Sequence, residues 1–325
     1  EALWGAGYWI SPCLFLVAGG VFVWALGRAG GLAAAVGGAV LLPLTQAVIN
    51  MYFPARPDHH GLLHLCWTLA VAAMASGVGR ASSRLWWVLG GAATALMFWV
   101  SLEGGYLSAV MLSLLGMNVV CRGEARARLD AFGGLWRFAV SLGACCAVFV
   151  LIEGGGTFLE HWAWDRLSLR HLLGIFSAWV GLACLRGWWL SDIAWARCGA
   201  AGLTGLLGLG AFWLSGGILA EGGADPGARR MLAFLLYSTS DNQAFHQMAG
   251  GWASSLLLWF GAPLLIWPLA SVRWVRGAPL RPATRWFVVG LSLAYVPMGL
   301  CVSRWNLYGS TLLAFLAAWW LGLLV

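Results

Sequence analysis

Lysine does not occur in this chain, and charge of either sign is scarce: 10% of its 325 residues are charged, and all 19 basic residues are Arg. The formal net charge of +7 therefore does not describe a nucleic-acid face, because the Arg residues stand singly between apolar segments rather than in a basic stripe. Cysteine is present eight times, but there is no CxxC pair, and Cys13, Cys66, Cys145, Cys146, Cys184 and Cys301 lie in or at the ends of apolar segments. That excludes a disulfide framework and a thiolate metal site. Internal repeats and low-complexity linkers are also lacking, so residues 1–325 read as a single transmembrane domain. The chain opens on Glu1 without Met or a basic leader of its own, so a segment ahead of it, or its processing, is expected.

What fills the sequence is apolar. Hydrophobic residues make up 61%, with a mean hydropathy of +0.81, against about 45–50% apolar residues in a soluble domain. The fold class is all-α and polytopic. A window of about 20 apolar residues finds eleven transmembrane helices, over 9–27, 30–52, 61–79, 85–102, 104–120, 132–152, 171–190, 199–219, 247–270, 286–303 and 305–325. Counted over alternate loops, thirteen Arg fall on one side and six on the other, while nine of the twelve acids fall with the six. The Arg-rich side is cytoplasmic by the positive-inside rule, which puts the N-terminus outside and the C-terminus in the cytoplasm. All six His then map to the outer face. Trp pairs such as Trp86-Trp87 and Trp188-Trp189 mark the headgroup zones, and Gly-rich runs near Gly205 suit close helix packing.

One polar island interrupts the apolar pattern: Pro54-Ala55-Arg56-Pro57-Asp58-His59-His60-Gly61-Leu62-Leu63-His64. Pro57 suits the first position of a helix, which puts Asp58 in the first turn, where the helix dipole favours a carboxylate. His60 and His64, four apart, share a helical face. Asp58, His60 and His64 together form a candidate ligand set for a divalent cation, since carboxylate oxygen and neutral imidazole nitrogen are ordinary ligands for Zn, Mn and related metals. The alternative is that these groups only meet water and lipid phosphate at the membrane surface. Elsewhere on the outer face stand Glu103, the one charge in a long apolar run; Glu160, His161 and Trp162 in a long loop; Asp241 and His246; and Arg304 with Asn306 and Tyr308. A second long outer segment, from Glu221 to His246, reads as an amphipathic helix in the headgroup layer.

The block Arg56-Pro57-Asp58-His59-His60-Gly61 resembles the second acidic motif of oligosaccharyltransferase catalytic subunits and related GT-C membrane glycosyltransferases. It is similar above all to uncharacterised bacterial relatives in which an Asp-His-His-Gly motif is followed by Ser-Leu-Glu, here Ser101-Leu102-Glu103. The resemblance covers residues 1–130. It implies a transferase of the bacterial inner membrane, active on the periplasmic side, that takes a sugar from a polyprenyl-phosphate lipid. Asp58 and Glu103 would be catalytic, and a divalent metal (Mn or Mg, with Zn as the alternative) would sit on Asp58, His60 and His64. Arg304, Tyr308, Glu160, His161 and Trp162 would bind substrate, with Arg304 clamping the donor phosphate. The family's first outer-loop acid has no counterpart after Glu1, so its N-terminal helix and first outer loop are expected to be missing here. A Trp-Trp-Asp acceptor motif is also absent, which leaves a non-catalytic membrane subunit, working with a membrane protein partner, as the competing reading.

Overall fold

The computed structural model describes residues 2–45, 47–48, 52, 59–79, 84–101, 103–155, 167–214, 263–278, 280–301 and 306–324. No strand occurs among them. The helices are α1 (Ala2–Leu44), α2 (His59–Gly79), α3 (Arg84–Val100), α4 (Glu103–Val120), α5 (Ala125–Gly154), α6 (Leu169–Cys184), the single turn α7 (Arg186–Trp189), α8 (Ala194–Leu214), α9 (Pro263–Gly277), α10 (Pro282–Cys301) and α11 (Asn306–Leu321). Three of them, over Tyr8–Leu44, His59–Val78 and Ala125–Gly154, are long and apolar enough to cross a membrane. Large apolar side chains such as Leu16, Leu32, Val36, Leu206 and Trp195 are more than half exposed. Such an exterior suits lipid rather than water, and the chain is a membrane protein.

The chain divides into two compact units, Glu1–Ala72 with Leu232–Val325, and Ala73–Met231. In the first, α11 packs on α1, α9 and α10. Thirteen of its residues are buried, from Asn306 to Trp319, so it is enclosed on all sides, as a central helix is.

α1 is two arms about Gly31, whose φ of 77° and ψ of −165° belong to backbone that only glycine adopts readily. The arms run antiparallel: Gly19 faces Leu42, Gly27 faces Ala35, and Gly38 faces Phe22 and Leu26. The carbonyl of Ala29, freed at the break, accepts a hydrogen bond from the Trp319 indole at 3.2 Å. The two sequence spans 9–27 and 30–52 thus become one helical hairpin.

The second unit is built from the end of α2 and from α3 to α8. α3 packs on α5, α5 on α6, and α6 on α8. At one end, two buried arginines tie the loops together. Arg128 pairs with Asp192 and donates to the carbonyls of Arg122 and Gly123. Arg197 donates to the carbonyls of Val120 at 2.9 Å and Ser191 at 2.8 Å. Burying a guanidinium is costly unless it is hydrogen-bonded, and these two use chain carbonyls released after the ends of α4 and α7. At the opposite end, Ser168 precedes α6 and its N–H donates to Nδ1 of His171 at 3.3 Å, so His171 caps the helix it begins.

Candidate functional site

The polar side chains of the first unit gather at one end, where α2 and α11 both begin. Tyr52 places its hydroxyl 2.7 Å from Nδ1 of His64 and 3.1 Å from the carbonyl of Gly61. Nε2 of His64 lies 2.8 Å from Oγ1 of Thr311, and Thr311 donates its hydroxyl hydrogen to the carbonyl of Leu307 at 2.7 Å. Each ring nitrogen of His64 thus faces a hydroxyl, and each of those hydroxyls also lies within hydrogen-bond reach of a backbone carbonyl, so the ring is bracketed by two groups that can either donate or accept.

Aromatic rings close around this chain of bonds. His64 stacks on Trp67, with centroids 5.9 Å apart and planes 18° apart. Tyr308 packs against Trp67 at 5.2 Å, and Tyr295 meets Trp67 edge-on at 5.5 Å. Each such pair contributes about 0.5–1.5 kcal/mol beyond its burial. One turn before His64, the buried ring of His60 lies against His59 at 4.1 Å between centroids. Asn306, the first residue of α11, is fully buried, and both its amide atoms lack a hydrogen-bond partner among the described residues. An unpaired buried amide costs about 1–3 kcal/mol, so this group has bonding capacity to offer a ligand.

The other end of the unit is about 12 Å away along α11, the rise from Thr311 to Trp319. There Trp319 meets Trp274 edge-on at 4.9 Å, Trp274 donates to the carbonyl of Arg285 at 3.0 Å, and Arg285 donates to the carbonyl of Val275 at 2.6 Å. Arg28 is a turn away from the hairpin break at Gly31, with its guanidinium over Trp24 at 5.5 Å. Imidazoles and tyrosines thus hold one end, and arginines the other.

These positions sort the residues expected from sequence. Asp58, Glu160, His161, Trp162 and Arg304 lie outside the described residues, as does the side chain of Glu103, whose backbone begins α4. The structure brings His60, His64 and Tyr308 to one end of the first unit. Both ring nitrogens of His64 lie against hydroxyls, those of Tyr52 and Thr311, and Tyr308 is 1% exposed. No group of three His, Cys, Asp or Glu side chains is placed to hold a metal ion among the described residues; of the ligands expected from sequence, His60 and His64 are described and Asp58 is not. Tyr52 and Thr311 were missed by sequence reasoning. Thr311 is 247 positions from its partner, a separation that periodicity does not bridge.

No protein-family model matches the sequence, and neither does any curated protein. Solved structures do match. The oligosaccharyltransferase AglB of Archaeoglobus fulgidus, in complex with an inhibitory peptide and a dolichol-phosphate, aligns over 98% of this chain with a TM-score of 0.70 and 15% identity. The apo form of the Archaeoglobus fulgidus oligosaccharyltransferase aligns with a TM-score of 0.63 and 15% identity, and its complex with Zn and sulfate with 0.61 and 16%. The chain spans 37–39% of the length of these enzymes. At such identities it is the fold that is shared, and the fold of this chain is similar to that of the archaeal oligosaccharyltransferase, a GT-C glycosyltransferase.

Proposed function

We propose that the chain acts as a GT-C-type glycosyltransferase, moving a sugar from a polyprenyl-phosphate-linked donor to an acceptor at the periplasmic face of a bacterial inner membrane. The observation that carries this reading is the likeness over 98% of the chain to an enzyme whose structure holds a dolichol-phosphate. The segregation of imidazole, tyrosine and amide groups to one end of the first unit supports it.

In the proposed reaction the acceptor attacks the anomeric carbon, the bond from that carbon to the phosphate oxygen breaks, and the lipid phosphate leaves. Asp58 and Glu103 are the acids assigned to orienting the acceptor and receiving its proton. Arg304 is assigned to the departing phosphate, since a guanidinium can bond two of its oxygens at once. Asn306, whose amide has no hydrogen-bond partner among the described residues, is suited to the same phosphate or to a sugar hydroxyl. Glu160, His161 and Trp162 remain assigned to substrate binding. A divalent cation would take Asp58 and His60 as its ligands from this chain, with His64 as the third candidate where a metal replaces one of its hydroxyl partners, and would neutralise phosphate charge.

The test is transfer in proteoliposomes supplied with a polyprenyl-phosphate-linked sugar. Asp58→Ala is expected to lower the rate by at least about a hundredfold, the usual contribution of a positioned acid or base, with the melting temperature unchanged. Full transfer by the variant would remove Asp58 from the chemistry. A wild-type chain that transfers nothing but co-purifies in fixed ratio with another membrane protein would favour the non-catalytic subunit.

A further inference from the structure

We infer that Tyr52 and Thr311 are positioning residues, which through His64 lock the second turn of α2 to the second turn of α11. The two turns come from opposite ends of the chain, and each follows a segment rich in chemistry-bearing groups: His60 stands one turn before His64, and Asn306 five residues before Thr311. A single hydrogen bond, His64 Nε2 to Thr311 Oγ1, joins them across 247 positions. The Tyr52 hydroxyl stands within hydrogen-bond reach of two groups of α2, His64 Nδ1 at 2.7 Å and the carbonyl of Gly61 at 3.1 Å, and Gly61 directly follows His60. The Tyr52 ring is held from behind by Phe15 at 5.3 Å. Thr311 is anchored by its own bond to Leu307.

The arrangement depends on hydroxyls. His64 is buried, and each of its ring nitrogens has a side-chain oxygen as its hydrogen-bond partner, Tyr52 at Nδ1 and Thr311 at Nε2. Phe at position 52 or Val at position 311 would keep the volume and leave that nitrogen unpaired. A residue that only filled volume would not need the hydroxyl. The role of this link in catalysis rests on the proposed transferase reading; the link itself does not.

The experiment compares Tyr52→Phe, Thr311→Val and Thr311→Ser in the full chain, purified in detergent or nanodiscs. Amide hydrogen exchange is followed by mass spectrometry alongside steady-state sugar transfer. In Tyr52→Phe and Thr311→Val, exchange is expected to speed up in peptides covering 59–64 and 306–311 and nowhere else in the first unit. The transfer kcat should fall about tenfold, the factor of one net hydrogen bond, with KM for the donor unchanged. Thr311→Ser, which restores the hydroxyl, should behave as wild type in both measurements. Equal damage in Thr311→Ser and Thr311→Val would overturn the inference, as would exchange that rises across the whole unit, because the side chains would then act through packing alone. If the wild-type chain transfers no sugar, the transferase reading falls, and the exchange pattern with its Ser rescue still decides the inference.

Discussion

Gly91 sits where α3 crosses α5 in the second unit, and the crossing leaves no room for a side chain. A Cβ there would come within 2.5 Å of the carbonyl oxygen of Phe138, 2.8 Å of the Ser141 Cβ and 3.0 Å of the Leu142 N. Two of those atoms are backbone, so the strain cannot be relieved by a rotamer change. Ser141 also donates to the carbonyl of Val88 at 2.8 Å, and separating the helices would break that bond. Gly91→Ala is expected to destabilise the protein by about 1–3 kcal/mol, the usual penalty for overpacking. Gly133→Ala, with nothing within 4 Å of its Cβ, should be neutral or stabilising by up to about 1 kcal/mol, because alanine loses less backbone entropy in a helix. Thermal unfolding in detergent compares the two. At this scale the sequence was legible for chemistry and opaque for partners. The spacing of His60 and His64 predicts a shared helical face, and both are buried on α2. It does not predict that the face of His64 is filled by Tyr52 and Thr311, because a three-dimensional neighbour hundreds of residues away leaves no periodic trace. That is why the two hydroxyls that bracket His64 were not foreseen from its sequence neighbours.

Among the elements, the α1 hairpin shows how far apolar pattern goes. Two runs of about 20 apolar residues separated by Arg28 and a Gly pair predict two antiparallel membrane helices, and the arms of α1 pack in that way. Helix boundaries follow the sequence spans closely for α2 to α4, where polar residues and glycines punctuate the apolar runs. They agree less at α5, which begins at Ala125, ahead of the expected start at residue 132, and at α9, which extends to Gly277, beyond the expected end at residue 270, because charged residues such as Arg126, Arg128, Arg273 and Arg276 lower hydropathy without breaking the helix. The turn itself hangs on Gly31. Its Cβ would meet nothing within 4 Å, so the restriction is conformational and not steric crowding by neighbours. Gly31→Ala should cost about 1–3 kcal/mol, the price of forcing an L-residue into a sparsely populated backbone region, and Gly20→Ala, also with open space at its Cβ but within the helical arm, should not. Chemical denaturation of both variants separates backbone strain from volume, and equal midpoints would mean that the turn can relax to ordinary dihedrals.

For the whole molecule, the distribution of charge can be tested with the protein's own thiols. Cys121, Cys184 and Cys198 are exposed, and in the second unit they lie at the end where Arg128 and Arg197 bind the loop carbonyls. The positive-inside rule acts on the short loops next to membrane helices, and Arg84, Arg122, Arg126 and Arg186 flank this end. All three cysteines are therefore expected in the cytoplasm. A single-cysteine variant retaining Cys121 should react with a membrane-impermeant maleimide in inside-out vesicles and resist it in intact spheroplasts. The buried Cys66 and Cys146 should stay unreactive in both preparations until the protein is unfolded. Cys66 lies on α2 two residues after His64, in the first unit and toward the end that the proposed chemistry occupies, so a cysteine introduced at the exposed His59 provides the opposite reading. His59→Cys should label in spheroplasts and not in inside-out vesicles. If Cys121 labels from outside while the cysteine at position 59 labels from within, the orientation is inverted and the proposed donor would have to be presented in the cytoplasmic leaflet. If both label from the same side, the two ends do not lie across a membrane from each other, and a periplasmic sugar-transfer site with its arginines anchored in the cytoplasm loses its basis.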